Sequence, residues 1–228
     1  STGLSEKDVK IKILTSMPNY AFTEKDPPIR EKKNNKLIIR SRISRIWKIN
    51  KGNKLVNGLI FSFSCLSKII FMNKNSTSLI ITSAPPFLPL LFLALYKIRK
   101  FKFILVIYDI YPDVLINLKI FPDNFILFKW WKQLNNYIYK YASSIVVLTE
   151  SMKKNIIANN DSIEKKVEVI PSWSIVQDIE PISKQNNWFA KKYDLVHKFV
   201  VMYSGNQGRN HDLKTLIESA NNLKNYKD

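Results

Sequence analysis

Three short segments hold side chains able to bind or transform a polar ligand. The first is Val201-Met202-Tyr203-Ser204-Gly205-Asn206-Gln207-Gly208-Arg209-Asn210-His211-Asp212, where an apolar run enters Gly-x-x-Gly and a helical pattern follows at once. Gly205 and Gly208 permit close backbone approach. The free N–H groups and the dipole at a helix start favour a phosphate, and Arg209 adds a charge-assisted, bidentate contact to a diphosphate. Gly-x-x-Gly alone also serves plain strand-to-helix turns; Asn206, Arg209 and His211 are what point to an anion. The second segment, Asp109-Ile110-Tyr111-Pro112-Asp113, follows the apolar run Phe103–Tyr108. Ligands of open α/β sheets bind at the carboxyl ends of the strands, and a carboxylate there can accept a hydrogen bond from a ligand hydroxyl or act as a base. Asp109 is read as that group, and Asp113 as a cap of the next turn. In the third, Thr149-Glu150-Ser151, a ligand contact by Glu150 and simple helix capping stand as equal readings. His197 reads as structural or exposed. Two His and one Cys give no metal-ligand spacing, and neither a P-loop nor a Gly-x-Ser-x-Gly elbow occurs.

The elements that must position these groups alternate strand-like and helical runs, the pattern of a parallel sheet with helices on both faces. Strands are expected at Val9–Thr15, Leu37–Ser41, Ser78–Thr82, Phe103–Tyr108, Ile145–Leu148, Val167–Ile170 and Lys198–Tyr203. The continuous hydrophobicity of Phe103–Tyr108 suits burial on both faces. Helices are expected at Leu55–Phe71, Leu88–Ile98, Asn124–Tyr141, from Thr149 or Ser151 to Ala158, Trp188–Tyr193 and Asp212–Leu223. The polar stretch Ser174–Asn187 reads as a linker. Residues 1–190 then form one Rossmann-like domain, and residues 198–228 open a second. Ser1–Asp8 reads as the tail of a helix and a turn, so one β–α unit is expected to be missing ahead of the first domain.

Hydrophobic residues make up 46% of the chain, which excludes a disordered chain. The formal charge is +18. Between Arg30 and Lys102 there are sixteen Lys or Arg and a single acidic residue, Glu31. Compositional bias and attraction to an anionic membrane surface explain this block equally well; nucleic acid ranks last, because no recognition motif accompanies the charge. The lone Cys65 forms no internal disulfide and fits a reducing compartment. Leu79–Ile98 approaches membrane-spanning length, but Pro85, Pro86 and Pro89 interrupt it. A strand, a turn and a short helix fit it better. That helix, with the basic Arg99-Lys100-Phe101-Lys102 after it, suits either a core position or a membrane surface.

The motif order is more specific than any motif alone. Ile13-Leu14-Thr15-Ser16-Met17-Pro18-Asn19-Tyr20, Thr82-Ser83-Ala84-Pro85-Pro86, Asp109-Ile110-Tyr111-Pro112-Asp113, Val147-Leu148-Thr149-Glu150-Ser151-Met152, Val169-Ile170-Pro171-Ser172-Trp173 and Tyr203-Ser204-Gly205-Asn206-Gln207-Gly208-Arg209 together resemble the retaining, GT-B-fold glycosyltransferases of the colanic-acid and O-antigen type (group 1 family). Tyr111, Asp113 and Ser172 depart from that family's usual Trp, Glu and Asn. The resemblance implies transfer from a nucleotide diphosphate sugar, with retention and no required metal or cofactor, to a lipid-linked or polysaccharide acceptor in cell-surface glycan synthesis. It implies Asp109 as the catalytic or acceptor-side carboxylate and Tyr111 and Glu150 on the acceptor side. Gly205, Asn206, Gly208 and Arg209 would hold the donor diphosphate. The expected place is the cytoplasm, peripheral at the inner face of the cell membrane, with no nucleic-acid partner. The family's initial glycine-rich loop and late Glu-x7-Glu segment are not in these 228 residues, so the chain is expected to be a fragment without activity alone. A GT-B-fold sugar-nucleotide epimerase and a non-catalytic membrane-surface protein with a degenerate transferase domain are the alternatives.

Overall fold

A computed structural model describes residues 9–17, 27–41, 51–119, 126–158, 160–172, 180–205, 212–224 and 226; for residues 51–55 it describes the backbone alone. The chain divides into two units, Ser1–Pro171 and Ser172–Asp228.

The first unit is α/β. Its strands are β1 (Ile11–Ser16), β2 (Arg30–Lys33), β3 (Lys36–Ser41), β4 (Ser78–Thr82), β5 (Lys102–Ile107), β6 (Ser144–Val147) and β7 (Val167–Val169). Its helices are α1 (Lys51–Ile69), α2 (Leu88–Arg99), α3 (Asp113–Asn117), α4 (Ile126–Tyr141) and α5 (Glu150–Ile157), with a 3-10 helix at Asp161–Lys166. The strands form two sheets, ordered β1-β3-β2 and β4-β5-β6-β7.

Every pairing in the four-stranded sheet is parallel. Leu79 stands opposite Phe103, Ile81 opposite Leu105, Leu105 opposite Ile145, Ile107 opposite Val147, and Ile145 opposite Val167. Registered partners in parallel strands share a face, so these residues make one continuous apolar surface. All are buried, and they join Leu88, Phe92, Leu93 and Leu95 of α2, Ile138 of α4 and Ile156 of α5 in one core. The other face is less covered than the sequence led us to expect for β5: Ile104 and Val106 are half-buried. Burying α2's leucines against this core resolves the choice left by the sequence, since α2 is a core helix. Among the described residues no helix is long and apolar enough to cross a membrane.

The first sheet contains an element the sequence reading missed. β2 pairs antiparallel with β3 through a two-residue turn at Asn34-Asn35, with Asn34 at φ 54°. Asn tolerates the positive φ that such turns need. Glu31, the one acidic residue of the basic block, pairs with Arg40 at 2.7 Å across this hairpin. On α1, Gly58 serves a close approach, because a Cβ there would come within 3.1 Å of Pro85 Cβ.

The second unit holds α6 (Trp188–Lys192) and α7 (Leu213–Leu223). Asn187 caps α6 by accepting from the amides of Phe189 and Ala190. The strand expected at Lys198–Tyr203 is not formed: residues 199–204 join no ladder among the described residues. An apolar extended run becomes a strand only when neighbouring strands take its N–H and C=O groups.

Candidate active site

The four parallel strands of the larger sheet end along one edge, and their registers bring three sequence motifs side by side. Thr82 stands opposite Val106, and Ile107 opposite Val147. Ser83 therefore follows β4, Tyr108-Asp109 follows β5, and Leu148-Thr149-Glu150 follows β6, on strands about 4.8 Å apart. Ser83 ties two of these ends together. Its amide donates to Val106 O at 2.9 Å. Its hydroxyl accepts from the amides of Tyr108 at 3.0 Å and Asp109 at 3.3 Å. Asp109 thus has a fixed backbone and an exposed position at the sheet edge.

Tyr111 is held from α4. Its carbonyl accepts from Asn135 Nδ2 at 2.6 Å. Its ring stacks with Trp131 at a centroid distance of 6.1 Å and an interplanar angle of 12°, and Trp131 also stacks with Phe87 at 5.8 Å. Burial, and then the negative charge of Asp109, hold the Tyr111 phenol above its ordinary pKa. It stays protonated at neutral pH, a hydrogen-bond donor beside a carboxylate. Behind them lies a cavity of about 20 Å³ lined by Ser83, Asp109, Tyr111, Trp131, Asn135 and Tyr139 among others, room for a single water. Burial, and then the charge of Asp113, push the Tyr139 phenol upward.

The two capping questions separate cleanly. Thr149 caps α5, its Oγ1 accepting from Met152 N at 3.2 Å. Glu150 follows as the exposed first residue of α5, so the cap does not occupy its carboxylate. Asp113 makes no side-chain cap bond to α3; instead its carboxylate pairs with Lys132 of α4 at 2.7 Å.

Asp109, Tyr111 and Glu150 thus belong to one sheet edge of the first unit. Gly205 belongs to the second unit, at φ 157°, a conformation that L side chains rarely adopt. Asn206, Gly208, Arg209 and His211 lie outside the described residues. Asp212 caps α7, its carboxylate accepting from Thr215 N at 3.3 Å and from Thr215 Oγ1 at 2.6 Å. Among the described residues no three His, Cys, Asp or Glu come together as a metal site.

The sequence reading did not assign the supporting groups Ser83, Trp131 and Asn135. Trp131 and Asn135 are one helical turn apart, and such a pair on the core side of an amphipathic helix is the signal that would have found them. Ser83 carries no such signal, because its role depends on the β4–β5 register.

No family model matches the chain. The chain is similar to a curated protein of Pseudomonas aeruginosa named probable glycosyltransferase WbjE, with 22% identity over 181 residues. The match covers 78% of this chain and 45% of that protein, so the chain spans less than half the length of the relative.

Proposed function

We propose that the chain is the acceptor-side domain, with the opening of the donor-binding domain, of a retaining GT-B-fold enzyme. That enzyme moves a sugar from a nucleotide diphosphate sugar to a lipid-linked or polysaccharide acceptor in cell-surface glycan synthesis. The observation that carries the reading is the strand-end set of Asp109, Tyr111 and Glu150, built on a clamped loop. In this role Asp109 accepts a hydrogen bond from the acceptor hydroxyl or takes its proton, Tyr111 donates a hydrogen bond beside it, and Glu150 binds a further hydroxyl. Gly205, Asn206, Gly208 and Arg209 hold the donor diphosphate through backbone N–H groups and one guanidinium.

The test is titration of nucleotide diphosphate sugars against the full polypeptide that contains this chain, wild type and Arg209→Ala. The expected result is binding that weakens at least about 10-fold in the variant, the loss of one charge-assisted contact of roughly 1.5–3 kcal/mol. Unchanged affinity removes Arg209 from the donor site, and absence of binding by the wild type removes the reading.

A lipid-linked acceptor places the enzyme at the inner face of the membrane. The surface suited to that is on α4, since α2 lies in the core. Ile126, Trp130, Leu134 and Tyr137 are exposed on α4 and recur at helical spacing, with exposed Lys129 and Lys140 flanking them. Such a stripe favours an anionic interface. Trp130→Glu is expected to reduce co-sedimentation with vesicles containing phosphatidylglycerol; equal sedimentation with neutral and anionic vesicles counts against the membrane role.

A further inference from the structure

Charge in the first unit is sorted by the direction of its strands. α1 ends at Ile69 ahead of β4, α2 at Arg99 ahead of β5, and α4 at Tyr141 ahead of β6. These strands are parallel, so the three helix ends meet at the strand starts, and Ser83, Asp109 and Glu150 lie at the opposite end. The turns that directly follow the strands, residues 83–87, 108–112 and 148–149, contain no Lys or Arg. At the strand starts stand Lys74, Lys97, Arg99, Lys100, Lys102 and Lys140. No Asp or Glu occurs in residues 32–108 or 124–149. The 3-10 helix that leads into β7 brings Asp161 and Glu164, which bounds the cationic part to the side of α1, α2 and α4. A compositional excess of lysine would load both ends alike, so bias does not explain the sorting.

Side chains fasten this end together. Arg99 Nη2 donates to Met72 O at 3.3 Å, which holds the end of α2 to the turn after α1. Tyr96 of α2 stacks with Tyr141 of α4 at 4.9 Å, and Lys100 Nζ lies 5.0 Å from the centre of the Tyr96 ring. Two apolar side chains are left bare on this framework: Phe71 is 88% exposed and Ile98 73%. Each directly precedes one partner of the Arg99–Met72 bond, so that bond brings their segments together. The helix dipole favours cations in a last turn. That accounts for Lys97 and Lys140. It does not account for Lys74 and Lys102, which lie outside the helices, or for bare apolar groups among them.

We propose that this end of the first unit is a contact for an anionic phospholipid bilayer, with Phe71 and Ile98 entering the interface and Lys74, Lys97, Lys100 and Lys102 facing the headgroup phosphates. Apolar groups that insert beside cations that meet phosphate are the combination that binds such a surface. Charge complementarity selects the occupant: a second copy pairing through the same face would bring the same cations, and a neutral bilayer would leave them without counter-charge. The contact is separate from the α4 stripe and rests neither on it nor on the proposed reaction. It adds a second point of attachment, and two linked points bind more tightly than either alone. It lies at the end of the sheet away from Asp109, so its loss leaves that site in place.

Co-sedimentation with phosphatidylcholine vesicles, with and without phosphatidylglycerol, tests it on the full polypeptide that contains this chain. The variants are Lys74→Gln/Lys97→Gln/Lys102→Gln, Phe71→Ser/Ile98→Ser, and the control Lys154→Gln/Lys191→Gln/Lys224→Gln, which removes the same charge from exposed lysines elsewhere. Circular dichroism checks that each keeps its fold. The wild type is expected to bind the phosphatidylglycerol vesicles and not the neutral ones. Each cation near an anionic surface contributes about fivefold in affinity, so the first variant is expected to lose roughly 100-fold. Phe71→Ser/Ile98→Ser is expected to lose about 10-fold or more, and the control less than about threefold, because screening confines the effect to nearby charges. Equal binding of the wild type to both vesicles, no binding at all, equal loss in the two lysine variants, or wild-type affinity in Phe71→Ser/Ile98→Ser overturns the proposal. Loss in Trp130→Glu, with both variants of this end at wild-type affinity, assigns the contact to α4 alone and overturns it too.

Discussion

Replacing Ser83 with Ala isolates the clamp that positions Asp109. Ser83 is 8% exposed, and its hydroxyl accepts from Tyr108 N at 3.0 Å and Asp109 N at 3.3 Å. Losing it leaves two donors without that acceptor in a partly buried turn. An unsatisfied buried donor costs about 1–3 kcal/mol, and the longer bond to Asp109 contributes the smaller share, so roughly 2 kcal/mol is expected for the pair. In a unit of this length that lowers Tm by about 4–8 °C. Ser62 supplies the control. It is 0% exposed, but its hydroxyl donates to Gly58 O at 2.7 Å, one turn back on α1. That carbonyl lies within the helix ladder, so Ser62→Ala strands no donor, and Ala is the better helix former. Its cost is expected to stay below about 1 kcal/mol. The assay is urea unfolding followed by circular dichroism on both variants, with fitted m values compared to confirm one transition. Equal destabilisation by the two substitutions would refute the clamp and make Ser83 an ordinary buried serine.

Three further outcomes follow from local geometry. Thr149→Ala removes the cap that accepts from Met152 N and is expected to cost about 1 kcal/mol in urea unfolding; no change would mean that water replaces it. The Asp212 carboxyl is held below its ordinary value, first by the Thr215 hydroxyl and then by the Thr215 amide. A lowered folded pKa means that the cap's contribution is complete above the unfolded value, about 3.9, and is lost as pH falls through the folded value. The Thr215 amide shift should therefore titrate with a midpoint below that of ordinary Asp and become flat in Asp212→Asn; a midpoint at or above the ordinary value contradicts the cap. Burial pushes the Cys65 thiol up to about 11, with Lys68 opposing, so iodoacetamide at pH 8 should label the folded chain much more slowly than the denatured one; equal rates would contradict the burial of Cys65.

The legibility of this chain depended on whether a feature was local. Strand β4 was readable because Ser78–Thr82 is a short apolar run ended by a Pro-Pro turn, and α7 because its apolar residues recur at helical spacing behind Asp212. The hairpin strand β2 was missed because Arg-Glu-Lys-Lys has no apolar alternation; only the Asn34-Asn35 turn betrays it. Lys198–Tyr203 failed in the other direction: its composition suits a strand, but strand formation also needs a partner that composition does not supply. At the candidate site, the strand-end positions of Asp109 and Glu150 were legible because each follows an apolar run. Ser83 acts through register with a strand 25 residues away, which no local pattern encodes. The choice between core and membrane surface for α2 stayed open in the sequence because an apolar helix looks the same whether lipid or a sheet covers it; here Phe92, Leu93 and Leu95 meet the core.

The most direct measurement of the central claim is transfer of labelled sugar from a nucleotide diphosphate sugar to a lipid-linked acceptor. It should be made with the full polypeptide containing this chain and with its Asp109→Asn variant. Asp109 is exposed, so the fold should survive the change. The expected result is transfer by the wild type and a loss of about 100-fold or more in the variant, the scale of acid–base catalysis. Transfer by Asp109→Asn at the wild-type rate would contradict the placement of the active site at this sheet edge.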